Sequence, residues 1–254
     1  MSASQAARHV VVLGGTRGMG RSLARQLVAR GDRVCLLGRD RDDLDKSVAD
    51  LAARAAPGTA APLAVVCDLA EPARFAAVLD EVWAAWGRVD AVVITAGAFA
   101  PMAVLDQDLK KAQDVLHLNF TCTILFCEHA RARLLAAGGG TLVVFGSVAG
   151  DRGRKPVGVY GASKAGLAAY LEALDHRFAA AGLRVVTVKP GFVRTAMTAG
   201  LPEPPFAGEP DDVARRVLAA MDRGTPIVYA PAIWGLVMWV IRLLPRFVMR
   251  RVGF

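Results

Sequence analysis

The stretch His9-Val10-Val11-Val12-Leu13, followed at once by Gly14-Gly15-Thr16-Arg17-Gly18-Met19-Gly20, constrains this chain more than any other. An apolar run with no polar alternation reads as a strand covered on both faces, the habit of parallel sheets. Ser22 to Val28 then shows helical spacing and closes at Gly31. Glycines at a strand-to-helix turn let the backbone approach a ligand, and the free N–H groups of the helix start favour a phosphate. A plain tight turn would carry the same glycines. The strand before and the helix after favour a dinucleotide site, although the spacing Gly-x3-Gly-x-Gly departs from the commoner G-x-G-x-x-G.

The same alternation repeats. Strands are predicted at Arg33–Leu37, Leu63–Cys67, Asp90–Ile94, Thr141–Phe145, Leu183–Val188 and Ile227–Tyr229. Helical stretches fall over about 41–55, Glu71–Trp86, Leu105–Leu118, Thr121–Leu135, Val159–Ala180 and Asp211–Met221, the middle pair meeting around Asn119. Right-handed crossovers of this length build an α/β fold: one Rossmann-type, doubly wound parallel sheet of about seven strands, with helices on both faces. Its ligand is expected at the carboxyl ends of the strands. The domain spans 1–230, and no internal repeat or linker divides the chain.

Tyr160 and Lys164 are four residues apart, so they share one helix face, a cation beside a phenol. A nearby ammonium favours the ionised phenol. Ser147, at the end of the run Leu142-Val143-Val144-Phe145, offers a hydroxyl to a carbonyl group. After the second strand stand Gly38-Arg39, where an NAD site usually has a carboxylate. Together with Arg17 this suits a 2′-phosphate, so NADP(H) is preferred and NAD(H) stays possible. Solvated arginines are the alternative, and Asp40 and Asp42 weaken the preference. Asp68-Leu69 at the end of the third strand suit an adenine. Ala96-Gly97 follow the fourth strand, and Pro190-Gly191-Phe192-Val193-Arg194-Thr195 turn away from the sixth, where a nicotinamide would lie.

Composition excludes several classes. Hydrophobic residues make up 54% of the 254, which rules out disorder and suits a sheet buried on both faces. The net charge is +8, but the arginines are spread over many helices without interleaved aromatics, so nucleic-acid binding is not expected. Cys35, Cys67, Cys122 and Cys127 form no CxxC pair and read as buried thiols in a reducing compartment. The four histidines show no metal-ligand spacing. Residues 1–8 carry no apolar signal region and no run reaches the length of a membrane span, so a cytoplasmic chain is expected.

Residues 198–210 are rich in Pro and Gly and form either a lid, over about 195–212, or a surface loop. The tail, 231–254, joins the apolar run Ile233–Leu244, with Trp234 and Trp239, to Arg242, Arg246, Arg250 and Arg251. That composition suits peripheral contact with the inner face of a membrane through 233–251. Packing on the domain or against a partner subunit is the competing reading.

Taken together, these residues resemble the short-chain dehydrogenase/reductase family over nearly the whole chain. Gly14, Gly18 and Gly20 match its TGxxxGxG turn, with Leu13 in place of Thr. Asp68 matches its adenine-contacting Asp, and Ala96-Gly97 match the end of its Asn-Asn-Ala-Gly motif, whose asparagines are Ile94 and Thr95 here. Asn119, Ser147, Tyr160 and Lys164 match its catalytic four, and Pro190-Gly191 with Thr195 its nicotinamide segment. The second half is similar to reductases of polyprenyl-phospho-2-keto-pentoses, such as decaprenylphospho-2-keto-pentose 2-reductases, and the tail to 3-ketosphinganine-type reductases. The resemblance implies NADPH-dependent, reversible reduction of a small or lipid-linked ketone. Tyr160 would be the acid, Ser147 the carbonyl partner and Lys164 the group that lowers the Tyr160 pKa. Asn119 would support a water that reprotonates Lys164. A 3-oxoacyl-type reductase and a membrane-attached NADP-binding partner with little activity are the alternatives. A homodimer or homotetramer is implied by the family.

Overall fold

The computed structural model describes residues 7–253. Residues 1–6, part of the stretch read as lacking a signal region, lie outside the described residues. Seven parallel strands form the sheet: β1 (His9–Leu13), β2 (Arg33–Gly38), β3 (Leu63–Val66), β4 (Ala91–Ile94), β5 (Gly140–Phe145), β6 (Leu183–Pro190) and β7 (Ile227–Ala230). They lie in the order β3-β2-β1-β4-β5-β6-β7. The order reverses between β1 and β4, which are paired from Val10 opposite Ala91 to Leu13 opposite Ile94. A crevice opens there at the carboxyl ends of the strands.

The helices are α1 (Gly18–Ala29), α2 (Arg41–Ala52), α3 (Phe75–Trp86), α4 (Met102–Leu105), α5 (Leu109–Leu116), α6 (Thr123–Ala136), α7 (Gly158–Phe178), α8 (Pro210–Arg223), α9 (Ile233–Leu243) and α10 (Arg246–Met249). Strand side chains alternate between two cores. Val11 and Leu13 meet Phe75 and Leu79 of α3, Phe126 of α6 and Leu167 and Leu171 of α7. Val10 and Val12 meet Leu23 and Leu27 of α1, Leu44 of α2 and Val217 of α8. Each strand is therefore apolar on both sides because each side has its own helical layer. A buried leucine cut to alanine in such a layer costs ~2–5 kcal/mol.

Three expectations shift. The two helical stretches around Asn119 are one continuous run that starts at Leu109, because α5 passes into α6 through a π turn, His117–Cys122, while Leu105 ends the separate α4. An extra residue in the turn rotates the register, so Asn119 is fully buried while Phe120 is exposed. The helix expected from Glu71 begins as a short 3₁₀ turn, Pro72–Arg74, with the proline at the first position, where its missing N–H costs nothing. The helix expected over 41–55 ends at Ala52, ahead of the Pro57-Gly58 turn. All four cysteines are free and buried, and burial pushes the Cys35 and Cys67 thiols up to about 12. Among the described residues no helix is long and apolar enough to cross a membrane, and no cluster of His, Cys, Asp or Glu could hold a metal ion.

Candidate active site

The turn after β1 is held by close contacts. Gly14 has φ +89°, and a Cβ there would lie 2.6 Å from the Ala96 nitrogen, so only glycine fits. Thr95 Oγ1 donates across to the carbonyls of Leu13 and Gly14, at 3.1 and 3.0 Å. Thr95, which departs from the family motif, thus ties β4 to the glycine turn. Gly20 lies behind the turn, where a Cβ would meet the Gly14 oxygen at 2.4 Å; its role is to seat α1 against the turn. Met19 packs into the core on the α1 side.

A cleft of about 580 Å³ runs along the strand ends, lined by Gly14, Thr16, Arg17, Arg39, Asp68, Leu69, Ala96 and Gly97. These expected cofactor residues therefore converge, whereas Gly18, Met19 and Gly20 do not line the cleft. Gly18 faces Thr195, whose methyl would be 3.4 Å from a Cβ there, so the segment after β6 returns to the glycine turn. Within that segment Gly191 donates its N–H to the Ala230 carbonyl at 3.0 Å, and Val193 bridges to Gly208. Pro190 ends β6. This glycine cradle, with α1 starting at its floor, fits the pyrophosphate of a dinucleotide. Arg17 and Arg39 are not equivalent. Arg17 pairs with Asp43 at 2.5 Å, whereas Arg39 is exposed and makes no ion pair with a described residue. Asp68 Oδ1 accepts from the Ala70 amide at 2.9 Å, shaping the loop under Leu69.

Asn119, Ser147, Tyr160 and Lys164 do not line the cleft; Gly97, which does, borders two of them. A Cβ at Gly97 would be 3.0 Å from Asn119 Oδ1 and 3.6 Å from Lys164 Nζ. Asn119 grips the Ala98 backbone, and its Nδ2 also reaches Ser163 Oγ at 3.4 Å. Ser147 follows β5, and its Oγ accepts from the Ala149 amide at 3.1 Å. The segment after it lies directly on α7: a Cβ at Gly150 would be 2.7 Å from the Lys164 carbonyl carbon, and one at Gly161 2.8 Å from the Ala149 oxygen. Those two glycines allow Ser147 to approach Tyr160.

Lys164 is 5% exposed and its Nζ donates to the Phe145 carbonyl at 2.8 Å. Nζ lies 6.0 Å from the centre of the Tyr160 ring, which Phe99 meets edge-on at 5.0 Å. Burial pushes the Lys164 ammonium down to about 8. Burial also raises the Tyr160 phenol, with a hydrogen bond from Ser147 pulling the other way. The expected lowering of Tyr160 by Lys164 is therefore not what this geometry produces. Desolvation outweighs an ammonium that is itself buried and turned to a backbone carbonyl.

Sequence reasoning missed Thr95 as a staple, Phe99 as a wall of Tyr160, and Ser163, which donates to the Tyr160 carbonyl at 2.7 Å. It also missed Asp151, whose side chain is 3% exposed and whose two oxygens take Lys189 at 2.6 Å and the Tyr229 hydroxyl at 2.8 Å. Ser163, inside the Tyr160–Lys164 motif, had a signal. The others depend on pairings far apart in the chain and had none.

A parallel sheet in this order, with a glycine cradle and a Ser/Tyr/Lys/Asn cluster at its carboxyl edge, defines a nicotinamide-dinucleotide oxidoreductase of Rossmann type. The chain belongs to the short-chain dehydrogenase family, whose family model, "short chain dehydrogenase", matches residues 8–205. It is 34% identical to an uncharacterized oxidoreductase of Mycobacterium tuberculosis over 95% of this chain and 96% of that one. It is 31% identical to carbonyl reductase family member 4 of Xenopus tropicalis, covering 83% of this chain and 89% of the relative. The solved structure of a short-chain type dehydrogenase/reductase from Mycobacterium ulcerans superposes with a TM-score of 0.80 at 28% identity, covering 87% of each chain. The protein is thus an oxidoreductase of a family that uses NAD(H) or NADP(H), acts on small molecules and is typically oligomeric.

Proposed function

We propose that this protein reduces a ketone to a secondary alcohol with NADPH, and that its substrate is lipidic or lipid-linked. The observation that carries the reading is Ser147, Tyr160 and Lys164 meeting past the end of β5, with Gly97, which lines the cleft, beside Lys164. NADPH, when bound in the cradle, supplies the hydride. Ser147 hydrogen-bonds the carbonyl oxygen, and the Tyr160 hydroxyl gives that oxygen its proton. Burial keeps Tyr160 protonated at neutral pH, which suits an acid in the reducing direction. In this reading Lys164 holds the nicotinamide ribose and returns a proton to Tyr160. Asn119 positions the 96–98 backbone through its carboxamide and supports a water through which Lys164 is reprotonated.

Arg39, which pairs with no carboxylate among the described residues, supports a 2′-phosphate and hence NADPH. The likeness to a carbonyl reductase supports a ketone. The lipid reading rests on the tail, which places an apolar, arginine-rich surface beside the site. A polyprenyl-phospho-2-keto-pentose is the substrate class that the sequence resemblance favours, and a peripheral position on a membrane follows from it.

The test is NADPH oxidation with a panel of ketones: a lipid-linked keto-sugar, a 3-ketosphinganine, a 3-oxoacyl thioester and a small water-soluble ketone. Turnover is expected for the lipidic members, and Tyr160→Phe should lower it by at least about a hundredfold while NADPH still quenches protein fluorescence. Unchanged turnover in Tyr160→Phe would sink the mechanism. Preference for the small ketone would sink the lipid reading alone.

A further inference from the structure

Helix α9 has two apolar faces, and the described residues cover only one of them. Trp234, Met238 and Ile241 are buried against Val148 and Tyr229. Leu236, Trp239, Val240 and Leu243 are 60%, 61%, 46% and 66% exposed, and Phe247 of α10 is 62% exposed. Steps of three and four residues place those of α9 on one stripe. Arg242, Arg246, Arg250 and Arg251 accompany it, all exposed. None of them makes an ion pair with a described residue. No Asp or Glu occurs after Asp222.

We propose that this stripe is a docking face for an anionic phospholipid surface. The proposal deepens the lipid reading above by naming the partner and the residues that meet it. A short helix with an apolar, Trp-bearing face and flanking arginines lies in the plane of the headgroups. Each arginine brought to an anionic surface strengthens binding by about fivefold. A second copy of this chain is a poorer occupant. A two-fold contact sets identical patches against each other, so it would crowd the same arginines together with no carboxylate from the segment between them.

The docked face is also tied to the site. Arg152 Nη2 donates to the Leu244 carbonyl at 2.8 Å, and Lys155 Nζ to the Arg250 carbonyl at 2.7 Å. Both donors lie between Ser147 and Tyr160. Trp234 donates through Nε1 to the Phe206 carbonyl at 3.1 Å, and its ring fills the space that a side chain at Gly191 would need. Val148, next to Ser147, packs on the buried face of α9. One layer of side chains thus separates the stripe from the catalytic segment and from the loop after β6.

The experiment is co-sedimentation of the full chain with phosphatidylcholine vesicles and with vesicles half phosphatidylglycerol. The wild type should favour the anionic vesicles by at least about tenfold, and Trp239→Ser/Leu243→Ser and Arg246→Glu/Arg250→Glu should each lose about that factor. Near-UV circular dichroism and NADPH oxidation with a water-soluble ketone should be unchanged in both variants, which separates lost docking from lost fold. Equal sedimentation of wild type and variants overturns the proposal. So does a fall in oligomer mass in Trp239→Ser/Leu243→Ser, which would assign the stripe to a contact between copies. Vesicle binding is read without turnover, so failure of the reductase reading would not be mistaken for failure of the docking face.

Discussion

Asn119 holds Ala98 at both ends: Oδ1 accepts from the Ala98 amide at 2.8 Å and Nδ2 donates to the Ala98 carbonyl at 2.7 Å. The side chain is fully buried in the π turn between α5 and α6. It therefore joins the helix layer to the backbone that borders the cleft. Asn119→Ala leaves two partly buried Ala98 backbone groups without their side-chain partner, at a cost of ~1–3 kcal/mol, whereas Asn119→Asp loses the donor and sets a carboxylate in a fully buried place against the Ala98 carbonyl. Urea denaturation should place both variants below the wild type. Equal midpoints would show that Ala98 finds other partners.

Arg39 should decide the cofactor more than Arg17 does. Arg17 is already paired with Asp43 on a largely exposed side chain, and such a pair contributes ~1 kcal/mol or less. Arg39→Asp should shift the ratio of kcat/KM for NADPH over NADH by at least about tenfold, because a carboxylate repels the 2′-phosphate and can accept from a ribose hydroxyl. Arg17→Ala should shift it by less than half that factor on a logarithmic scale. The reverse order in steady-state kinetics would move the phosphate subsite to Arg17.

Lys164 makes stability depend on pH in a definite direction. Its folded-state pKa, about 8, lies below the ordinary value of 10.5. Between those values the unfolded chain binds more protons, so this group's contribution to stability rises with pH across about 8 to 10.5. Below pH 8 the full penalty stands, ~3 kcal/mol for a side chain this buried. Lys164→Met removes that dependence. The stability difference between wild type and Lys164→Met, measured in urea at pH 7 and again at pH 10, should move in favour of the wild type. A constant difference would mean that Lys164 is not desolvated.

Much of the fold is legible in residue order alone. Runs such as Val10–Leu13 and Leu142–Phe145 have no polar face, so each must be covered twice, and only a parallel sheet with helices on both sides does that for seven strands. The chemistry carried by local spacing is equally legible. Tyr160 and Lys164 share a helix face, Gly14 to Gly20 open a helix behind a strand, and Ser147 ends β5.

Tertiary structure alone decided what joins these pieces. Thr95 looks like a defect in a motif until β4 lies beside β1 and its hydroxyl reaches two carbonyls of the glycine turn. Asn119 looks like a break between helices until the π turn buries it against Ala98. The sign of the shift at Tyr160 was also beyond local reading: adjacency in a helix predicts that Lys164 lowers it, but burial of both groups, set by residues far apart in the chain, reverses the balance. The apolar tail shows the same division. Its composition names an amphipathic surface, and only packing against Val148 and Tyr229 determines which face of α9 is spent on the protein and which remains in solvent. Periodicity acts between neighbours along the chain and survives in the sequence. Desolvation and long-range hydrogen bonds act between residues that only folding brings together.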